Sequence, residues 1–290
     1  MRVAFQGVHG AYSEVATKKL FGQSCETAPS DTFTGVFSAV ERGKADRGVI
    51  PIENSLAGSI HENYDLLISH HVHIVAETHL RIEHVLMCHP KSSFQKLKKI
   101  RSHPQALAQC SRFFGENRNL TPEAYFDTAG AAQSLSRDMS IDTGAIASAY
   151  SAKLYGLKIL KRNLENRPNN FTRFLVIARK AWHPRPGTPG KCSIAFRPQK
   201  NQVGILFRVL GVFALRDIDL FKIESRPDPD TSFEYQFYLD FAGTPQDTRV
   251  ANALDHLQEM VRDFRLLGAY PAAPENLSGG TKRRRQGFST

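Results

Sequence analysis

Residues 3–20 read VAFQGVHGAYSEVATKKL, an apolar run followed by a turn with two glycines and then by a helical pattern. We expect a strand at 3–5 and a helix that runs to residue 20 with Ser13 and Glu14 as its cap. The same alternation continues over the first 180 residues, with further strands expected at 48–50, 85–88, 99–101, 145–147 and 171–178. This rhythm is typical of an α/β sheet.

A second unit follows a break in this pattern. Residues 182–190 contain three prolines and two glycines, which indicates a linker, and we place the domain boundary at 181–190. Residues 191–271 then predict a β-α-β-β-α-β unit, in which 233–241 alternate apolar and polar side chains with a period of two. We expect the helices of this unit to cover one apolar face of its sheet. Its other surfaces are available to a second copy, so we expect a dimer.

The composition excludes a mostly disordered chain. The 290 residues are 41% hydrophobic and 23% charged, which is ordinary for globular proteins and leaves room for two domains. Lys and Arg exceed Asp and Glu by 38 − 28 = 10, a balance that suits nucleic acid or a polyanionic small molecule. Four of these charges lie in Lys282-Arg283-Arg284-Arg285, within a tail at 272–290 that we expect to be disordered. We therefore expect no nucleic-acid partner.

The sequence also limits the compartment. No apolar run approaches the roughly 18 residues of a membrane span, so we expect no membrane partner. Cys25, Cys88, Cys110 and Cys192 form no C-x-x-C pair, which fits reduced thiols. No targeting pattern precedes the first strand. We expect a cytoplasmic protein, or one of the plastid stroma if a transit peptide has been removed.

Two loops carry candidate binding groups. The turn from Gly7 to Ser13 brings two glycines and free N–H groups to a helix start, where an anion can bind. It lacks the G-x-G-x-x-G and Walker A patterns, and a plain tight turn fits it equally well. Asn54, Ser55 and Ser59 cluster at an expected strand-to-helix corner, where open α/β sheets bind ligands. A polar capped loop is the other interpretation.

A third segment places the hydroxyl of Thr172 beside the guanidinium of Arg173. Arginine can bind a carboxylate with two hydrogen bonds, and threonine can donate one to a departing oxygen. Consecutive residues of a strand face opposite sides, so both can serve one site only at a strand end or a kink. A surface strand with an incidental arginine is the alternative.

Two further patterns have a structural interpretation. His70-His71-Val72-His73 lacks partners at the spacing of metal ligands, so we expect a polar helix end and no metal. Asp127-Thr128 is interpreted as the cap of a helix at 129–135, placed where a cap can also contact a ligand.

Together, these segments resemble the prephenate dehydratases, and in particular the related plant-type arogenate dehydratases, over residues 3 to about 271. The markers are Gly7-x-x-Gly10-Ala11-Tyr12-Ser13-Glu14, Pro51-Ile52-Glu53-Asn54-Ser55, Ser102-His103-Pro104-Gln105-Ala106, Asp127-Thr128-Ala129-Gly130-Ala131-Ala132 and Thr172-Arg173-Phe174. The C-terminal unit, with Glu224-Ser225-Arg226-Pro227, is similar to the ACT regulatory domain of that family.

The resemblance implies an α/β architecture. Residues 1–180 would form a catalytic domain of two lobes, folded like a type II periplasmic binding protein, and 191–271 a ferredoxin-like ACT domain. The lobes would comprise about 1–77 with 160–180, and 78–159. Prephenate or arogenate would lose CO₂ and its ring hydroxyl together, giving phenylpyruvate or phenylalanine. The resemblance implies no cofactor, a homodimer or homotetramer, and L-phenylalanine as effector.

The resemblance also assigns roles to residues. Thr172 would donate a hydrogen bond to the leaving hydroxyl and Arg173 would hold a substrate carboxylate. The substrate would be lined by Gly10, Ser13, Asn54, Ser55, Thr128 and Phe174. The effector would contact Gly204, Leu206, Glu224, Ser225, Arg226 and Pro227. Ile205 stands where bacterial relatives usually carry alanine.

A catalytically silent, amino-acid-sensing ACT protein is the alternative function. The intact Thr172-Arg173-Phe174 motif opposes it.

Overall fold

The computed structural model describes residues 1–184, 188–199, 203–228 and 234–273. Its strands are β1 (Arg2–Gln6), β2 (Glu26–Ser30), β3 (Arg47–Asn54), β4 (Gly58–Ser59), β5 (His73–Arg81), β6 (Val85–Cys88), β7 (Lys99–Ser102), β8 (Thr121–Ala124), β9 (Thr143–Ala147), β10 (Lys158–Lys161), β11 (Phe171–Ala178), β12 (Lys191–Pro198), β13 (Leu220–Pro227), β14 (Tyr235–Ala242) and β15 (Val261–Tyr270). Its helices are α1 (Tyr12–Phe21), α2 (Phe33–Glu41), α3 (His61–Ser69), α4 (Pro104–Gln109), α5 (Ser111–Glu116), α6 (Thr128–Asp138), α7 (Ala149–Leu154), α8 (Ile205–Ala214) and α9 (Thr248–Met260). The expected two-lobed α/β region and C-terminal β-α-β-β-α-β unit are confirmed.

Lobe one is built on a six-stranded sheet in the order β2-β1-β3-β11-β5, with β4 paired to β3. The first three strands in this order are parallel, and β11 runs antiparallel to both of its neighbours. Helix α1 covers one face, on which Phe174 and Val176 are buried. Helix α2 covers part of the other face, on which Leu175 and Ile177 are buried. The alternation along β11 therefore sends its side chains into two different cores.

Lobe two is built on a five-stranded sheet in the order β10-β6-β9-β7-β8. Because β5 continues to Arg81 and β10 ends at Lys161, the chain crosses between the lobes at 82–84 and 162–170. These crossings lie a few residues later than the expected boundaries near 77 and 160. The first crossing lies later because β5 pairs along its whole length with β11 and therefore belongs to lobe one.

Local signals placed some element ends incorrectly. Helix α1 begins one residue before Ser13 and is capped by the extended backbone of Ala11, so the expected cap at Ser13 and Glu14 is wrong. The Glu14 carboxylate reaches back instead and accepts a hydrogen bond of 2.7 Å from the Gly10 N–H. Strand β3 continues through Pro51 to Asn54, beyond the expected end at residue 50.

The C-terminal unit has the strand order β13-β14-β12-β15. Helices α8 and α9 cover one face, where they bury Phe196, Leu239 and Phe241. The other face packs against lobe one, where side chains of both units share a core that includes Ile74, Leu175, Ile177, Ala195, Tyr238, Leu267 and Tyr270. This sheet face is therefore not available to a second copy, in contrast to the expectation from the sequence.

Several expectations concern parts of the chain that are not described. Residues 185–187 of the expected linker, Phe233 of the alternating strand and 274–290 of the expected basic tail lie outside the described residues. Within the described ranges, no helix is both long enough and apolar enough to cross a membrane. All four cysteines are buried and free.

The contact between the C-terminal sheet and lobe one is close at Gly268. A Cβ atom at this position would overlap the carbonyl oxygen of Ile74 in β5. We expect Gly268→Ala to push the two units apart and to lower the free energy of unfolding by about 1–3 kcal/mol, as overpacking does. Urea unfolding checks this. Gly115→Ala is the control, since a Cβ there meets no atom within 4 Å. Equal loss of stability in both variants would contradict the close contact.

Candidate active site

A cleft of about 480 Å³ lies between the two lobes. Lobe one contributes the turn after β1, the end of β3 with the loop that follows it, and the start of β11. Lobe two contributes the first residues of α4 and α6, and the crossing contributes Ile82 and His84. The wall consists of Gln6, Gly7, Ala11, Tyr12, Ser13, Pro51, Asn54, Ala57, Gly58, Ser59, Ile60, Ile82, His84, His103, Gln105, Ala106, Gln109, Asp127, Thr128, Thr172 and Phe174.

Five of the eight residues that the sequence placed at the substrate meet in this cleft. They are Ser13, Asn54, Thr128, Thr172 and Phe174. These residues come from four separate segments of the chain, so the fold and not the sequence brings them together.

Gly10 and Ser55 lie just outside the cleft wall and hold its loops in place. The carbonyl oxygen of Gly10 accepts hydrogen bonds from the hydroxyls of Ser148 (2.9 Å) and Ser151 (2.8 Å) in lobe two. The Ser55 hydroxyl donates to the Asn169 carbonyl oxygen at 2.8 Å and accepts from the Phe171 N–H at 2.9 Å. These contacts join the lobes and fix the start of β11.

The Thr172 hydroxyl is oriented by Asn54. The Asn54 side-chain oxygen accepts from the N–H groups of Leu56 and Ala57, each at 3.0 Å, which turns the amide nitrogen toward β11. This nitrogen donates to Thr172 Oγ1 at 2.9 Å. Among the described residues, the structure gives the Thr172 proton no acceptor. The hydroxyl can therefore donate to a ligand in the cleft.

Arg173, which we expected to hold a substrate carboxylate, does not line the cleft. It lies on the opposite face of β11 from Thr172 and Phe174, as strand alternation requires. A register shift in the pairing with β3 follows Arg173 but does not turn its side chain. Its guanidinium contacts Glu77 (Nε, 2.8 Å), Asp240 (Nη1, 2.5 Å) and the Tyr270 hydroxyl (Nη2, 3.0 Å).

A chain of hydrogen bonds that the sequence did not reveal connects Asn54 to lobe two. The Asn54 amide also donates to Asn170 Oδ1 at 2.8 Å, and Asn170 Nδ2 donates to Gln109 Oε1 at 3.0 Å. The same Gln109 oxygen lies 2.9 Å from His84 Nε2, and His84 Nδ1 lies 2.9 Å from the Tyr12 hydroxyl. Burial lowers the pKa of His84 and thereby favours its neutral ring. No motif spacing links these residues.

The groups that the cleft offers to an anion are helix starts. None of the described residues that line it is Lys or Arg. Helices α1 and α6 begin at its wall, where their first N–H groups carry partial positive charge. Asp127 is confirmed as the cap of α6, accepting a hydrogen bond from the Gly130 N–H, and burial raises the pKa of its carboxyl.

Comparison with known proteins agrees with this arrangement. A family model described as prephenate dehydratase matches residues 3–181, and one described as ACT domain matches residues 199–257. The chain belongs to the prephenate dehydratase family. Arogenate dehydratase/prephenate dehydratase 1, chloroplastic, of Arabidopsis thaliana is 46% identical over 285 residues, which cover 93% of this chain and 72% of the relative.

Two solved structures share the whole fold. Prephenate dehydratase from Arthrobacter aurescens, in complex with L-Phe, is 28% identical with a TM-score of 0.86 and covers 94% of this chain and 90% of its own. GqqA, described as a novel type of quorum quenching acylase, is 36% identical with a TM-score of 0.88 and covers 94% of this chain and 99% of its own.

Within one chain, the residues expected at the effector lie on two separate surfaces of the ACT domain. Glu224 accepts a hydrogen bond of 2.5 Å from Ser59 of lobe one, and Arg226 donates to Asp65 of lobe one at 2.8 Å. Ser225 and Pro227 alternate with them and are exposed. Gly204 caps α8, on the far side of the sheet, and Ile205 packs against the ACT core.

The described part of the chain contains no group of three or more His, Cys, Asp or Glu that could hold a metal. In the histidine-rich segment, His70 Nδ1 lies 2.8 Å from a carboxylate oxygen of Glu41.

Burial of His84 makes stability depend on pH. Its native pKa lies below the unfolded value of about 6.5. Stability from this residue is therefore complete above about pH 6.5 and falls as the pH drops, by at most about 1.4 kcal/mol per unit. We expect His84→Gln to lose less stability than the wild type between pH 7.5 and 5.5 in urea unfolding. The exposed His71→Gln is the control. Equal losses in all three proteins would contradict this assignment.

Proposed function

We propose that this protein catalyses the decarboxylating dehydration of prephenate to phenylpyruvate, of arogenate to L-phenylalanine, or of both. The observation that carries the proposal is the Thr172 hydroxyl, which accepts a hydrogen bond from Asn54 and keeps its own proton for the cleft. The relatives named for arogenate and prephenate dehydration support the same activity.

The reaction needs little chemistry from the protein. The bond from the ring to its carboxylate breaks, the electron pair enters the ring, and the carbon–oxygen bond to the ring hydroxyl breaks. The ring becomes aromatic, CO₂ leaves, and the departing hydroxide takes up one proton as water. Aromatisation supplies the driving force, so orientation and assistance to the leaving oxygen suffice.

Thr172 assists the departing oxygen as a positioned donor. A threonine hydroxyl is a poor acid, so it stabilises the leaving oxygen by a hydrogen bond and does not supply the proton outright. The hydrogen bond from the Asn54 amide polarises this hydroxyl and makes it a better donor. Phe174, two residues along the same strand, gives the ring an apolar wall.

The carboxylate that remains in the product binds at the helix starts of α1 and α6. The carboxylate that leaves as CO₂ must not be held tightly, because stabilising it in the ground state would slow the reaction. A cleft wall without lysine or arginine suits this requirement.

Acyl transfer is a weaker candidate, raised by the similarity to GqqA. It needs a nucleophile beside a base. The Ser59 hydroxyl lines the cleft, and Lys222 Nζ lies 3.0 Å from its oxygen. Lys222 is the donor in this contact and also forms ion pairs with Glu53 (3.0 Å) and Glu224 (3.2 Å), so it is not placed as a base. The Ser59 hydroxyl donates its proton to the Glu224 carboxylate, which is a weak base.

Turnover of prephenate and of arogenate, measured separately, tests the activity, and the ratio of kcat/KM names the preferred substrate. Thr172→Ala should lower kcat by about 10²–10³-fold, the effect of removing one such donor, with little change in KM. Thr172→Ser should keep part of the activity. Thr78→Ala is the matched control, since Thr78 is buried on the neighbouring strand, faces the same side and does not line the cleft.

Folded wild type that is silent on both substrates would leave the amino-acid sensor as the function. Unchanged kcat in Thr172→Ala would remove Thr172 from the mechanism. Release of an acyl group from an N-acyl amide substrate would favour acyl transfer instead.

L-phenylalanine acts as effector at the ACT domain, and a second copy of the chain completes its site. One face of α8 exposes Phe207 (81%) and Leu215 (87%), with Gly211 between them. Apolar groups at this spacing are typical of a contact surface. The L-Phe complex of the Arthrobacter aurescens relative supports the choice of effector.

Phe207→Asp should therefore produce monomers in sedimentation equilibrium and abolish the response to L-phenylalanine, while turnover without L-phenylalanine remains. Leu154→Asp, at an exposed leucine of α7, is the control and should keep both. A monomeric variant that still responds would show that one chain contains the whole effector site.

The buried, free cysteines suit a reducing compartment. With the chloroplastic relative, they support a protein of the plastid stroma or the cytoplasm.

A further inference from the structure

Four charged side chains, three of them buried and the fourth (Lys191) partly buried, lie between lobe one and the ACT domain. Arg173 and Glu77 come from lobe one, and Lys191 and Asp240 come from the ACT domain. Arg173 contacts both carboxylates, and Lys191 Nζ lies 2.8 Å from the other oxygen of Glu77. Two positive and two negative charges balance, as buried charges must to avoid a large desolvation penalty.

Neutral groups complete the cluster and fix its geometry. The Ser193 hydroxyl donates to Asp240 at 2.6 Å and lies 2.7 Å from the Tyr270 hydroxyl. The Tyr270 hydroxyl also accepts from Arg173 at 3.0 Å. Burial opposes the charge of Glu77, but Arg173 and Lys191 outweigh it and hold the pKa of its carboxyl below the usual value. Glu77 is therefore charged at neutral pH.

This cluster lies directly behind the cleft. Arg173 and Thr172 are neighbours on β11, and their side chains leave the strand on opposite faces. Thr172 pairs with Asn54 of β3 and with Leu80 of β5. A shift of β11 therefore changes the distance between the Thr172 hydroxyl and the Asn54 amide. The guanidinium holds β11 from the ACT side through two groups of that domain, Asp240 and Tyr270.

We propose that Asp240 and Tyr270 of the ACT domain are positioning residues for the cleft, acting on Thr172 through Arg173. The proposal rests on the proposed dehydratase function. It makes the ACT domain part of the active-site support, and any movement of its sheet against lobe one changes the contacts of Arg173 first. The effect of an ACT ligand then reaches the reaction through β11.

The two buried tyrosines of the ACT sheet provide a matched test. Tyr270 and Tyr238 are 0% and 3% exposed, and both face lobe one. The Tyr238 hydroxyl donates to the Tyr64 carbonyl oxygen at 2.9 Å and has no contact with Arg173. Tyr270→Phe and Tyr238→Phe each remove one buried hydroxyl and keep the ring. They should therefore lower stability by similar amounts, and differ only if the path through Arg173 matters.

We expect Tyr270→Phe to lower kcat by about two- to tenfold, the factor that corresponds to one hydrogen bond, with KM nearly unchanged. Tyr238→Phe should keep kcat. Asp240→Asn should lower kcat further, and Asp240→Glu should restore part of the loss. If the Asp240 variants fail to fold, Ser193→Ala replaces them, since it removes only a supporting hydroxyl.

Hydrogen–deuterium exchange supplies a readout that does not depend on turnover. Amides of 169–174 should exchange faster in Tyr270→Phe than in Tyr238→Phe. Equal kcat and equal exchange in the two variants would show that the cluster only holds the domains together, and would overturn the proposal. If the wild type lacks dehydratase activity, the proposed function fails, and the exchange of 169–174 still decides whether Tyr270 positions β11.

Discussion

Strand β11 is the element on which the rest of the structure depends. It lies between β3 and β5 in lobe one, and each of its faces packs against a different part of the molecule. Thr172 and Phe174 face the cleft, whereas Arg173, Leu175 and Ile177 face the ACT domain. A period of two along one strand therefore connects substrate binding, lobe packing and domain docking.

The cleft does not share the positive charge of the chain as a whole. The chain carries an excess of ten positive charges, yet none of the described cleft residues is Lys or Arg. Helix starts bind a carboxylate through N–H groups whose attraction is weaker and more directional than that of a full charge. A reaction that expels CO₂ benefits from this weaker attraction, because a tightly held carboxylate would stabilise the substrate more than the transition state.

Local signals in the sequence predicted the elements well. The strand at 171–178 has the bounds of β11, and the Asp127 cap and the β-α-β-β-α-β order of the ACT domain follow from residue type and spacing. Each of these features is decided by residues close together in the chain. The family resemblance added which segments meet at the cleft, and five of its eight substrate positions do so.

The remaining features depend on contacts that no local pattern encodes. Asn170 meets Gln109 across 61 residues of sequence, and Arg173 meets Tyr270 across 97. The alternation of strand side chains had already indicated that Thr172 and Arg173 face opposite sides. The family pattern assigned both to one site, whereas the structure places Arg173 behind the strand, on the face that meets the ACT domain.

The Thr172 hydroxyl is thus held from two directions. From lobe two, Gln109 accepts a hydrogen bond from Asn170 of the crossing, and Asn170 accepts one from the Asn54 amide. From the ACT domain, Asp240 and Tyr270 fix Arg173 on the same strand. Because Thr172 needs both the amide and the strand in place, the loss of either set of contacts has the same consequence at the hydroxyl. One donor can therefore respond to substrate in the cleft and to an effector more distant from it, without a separate signalling element.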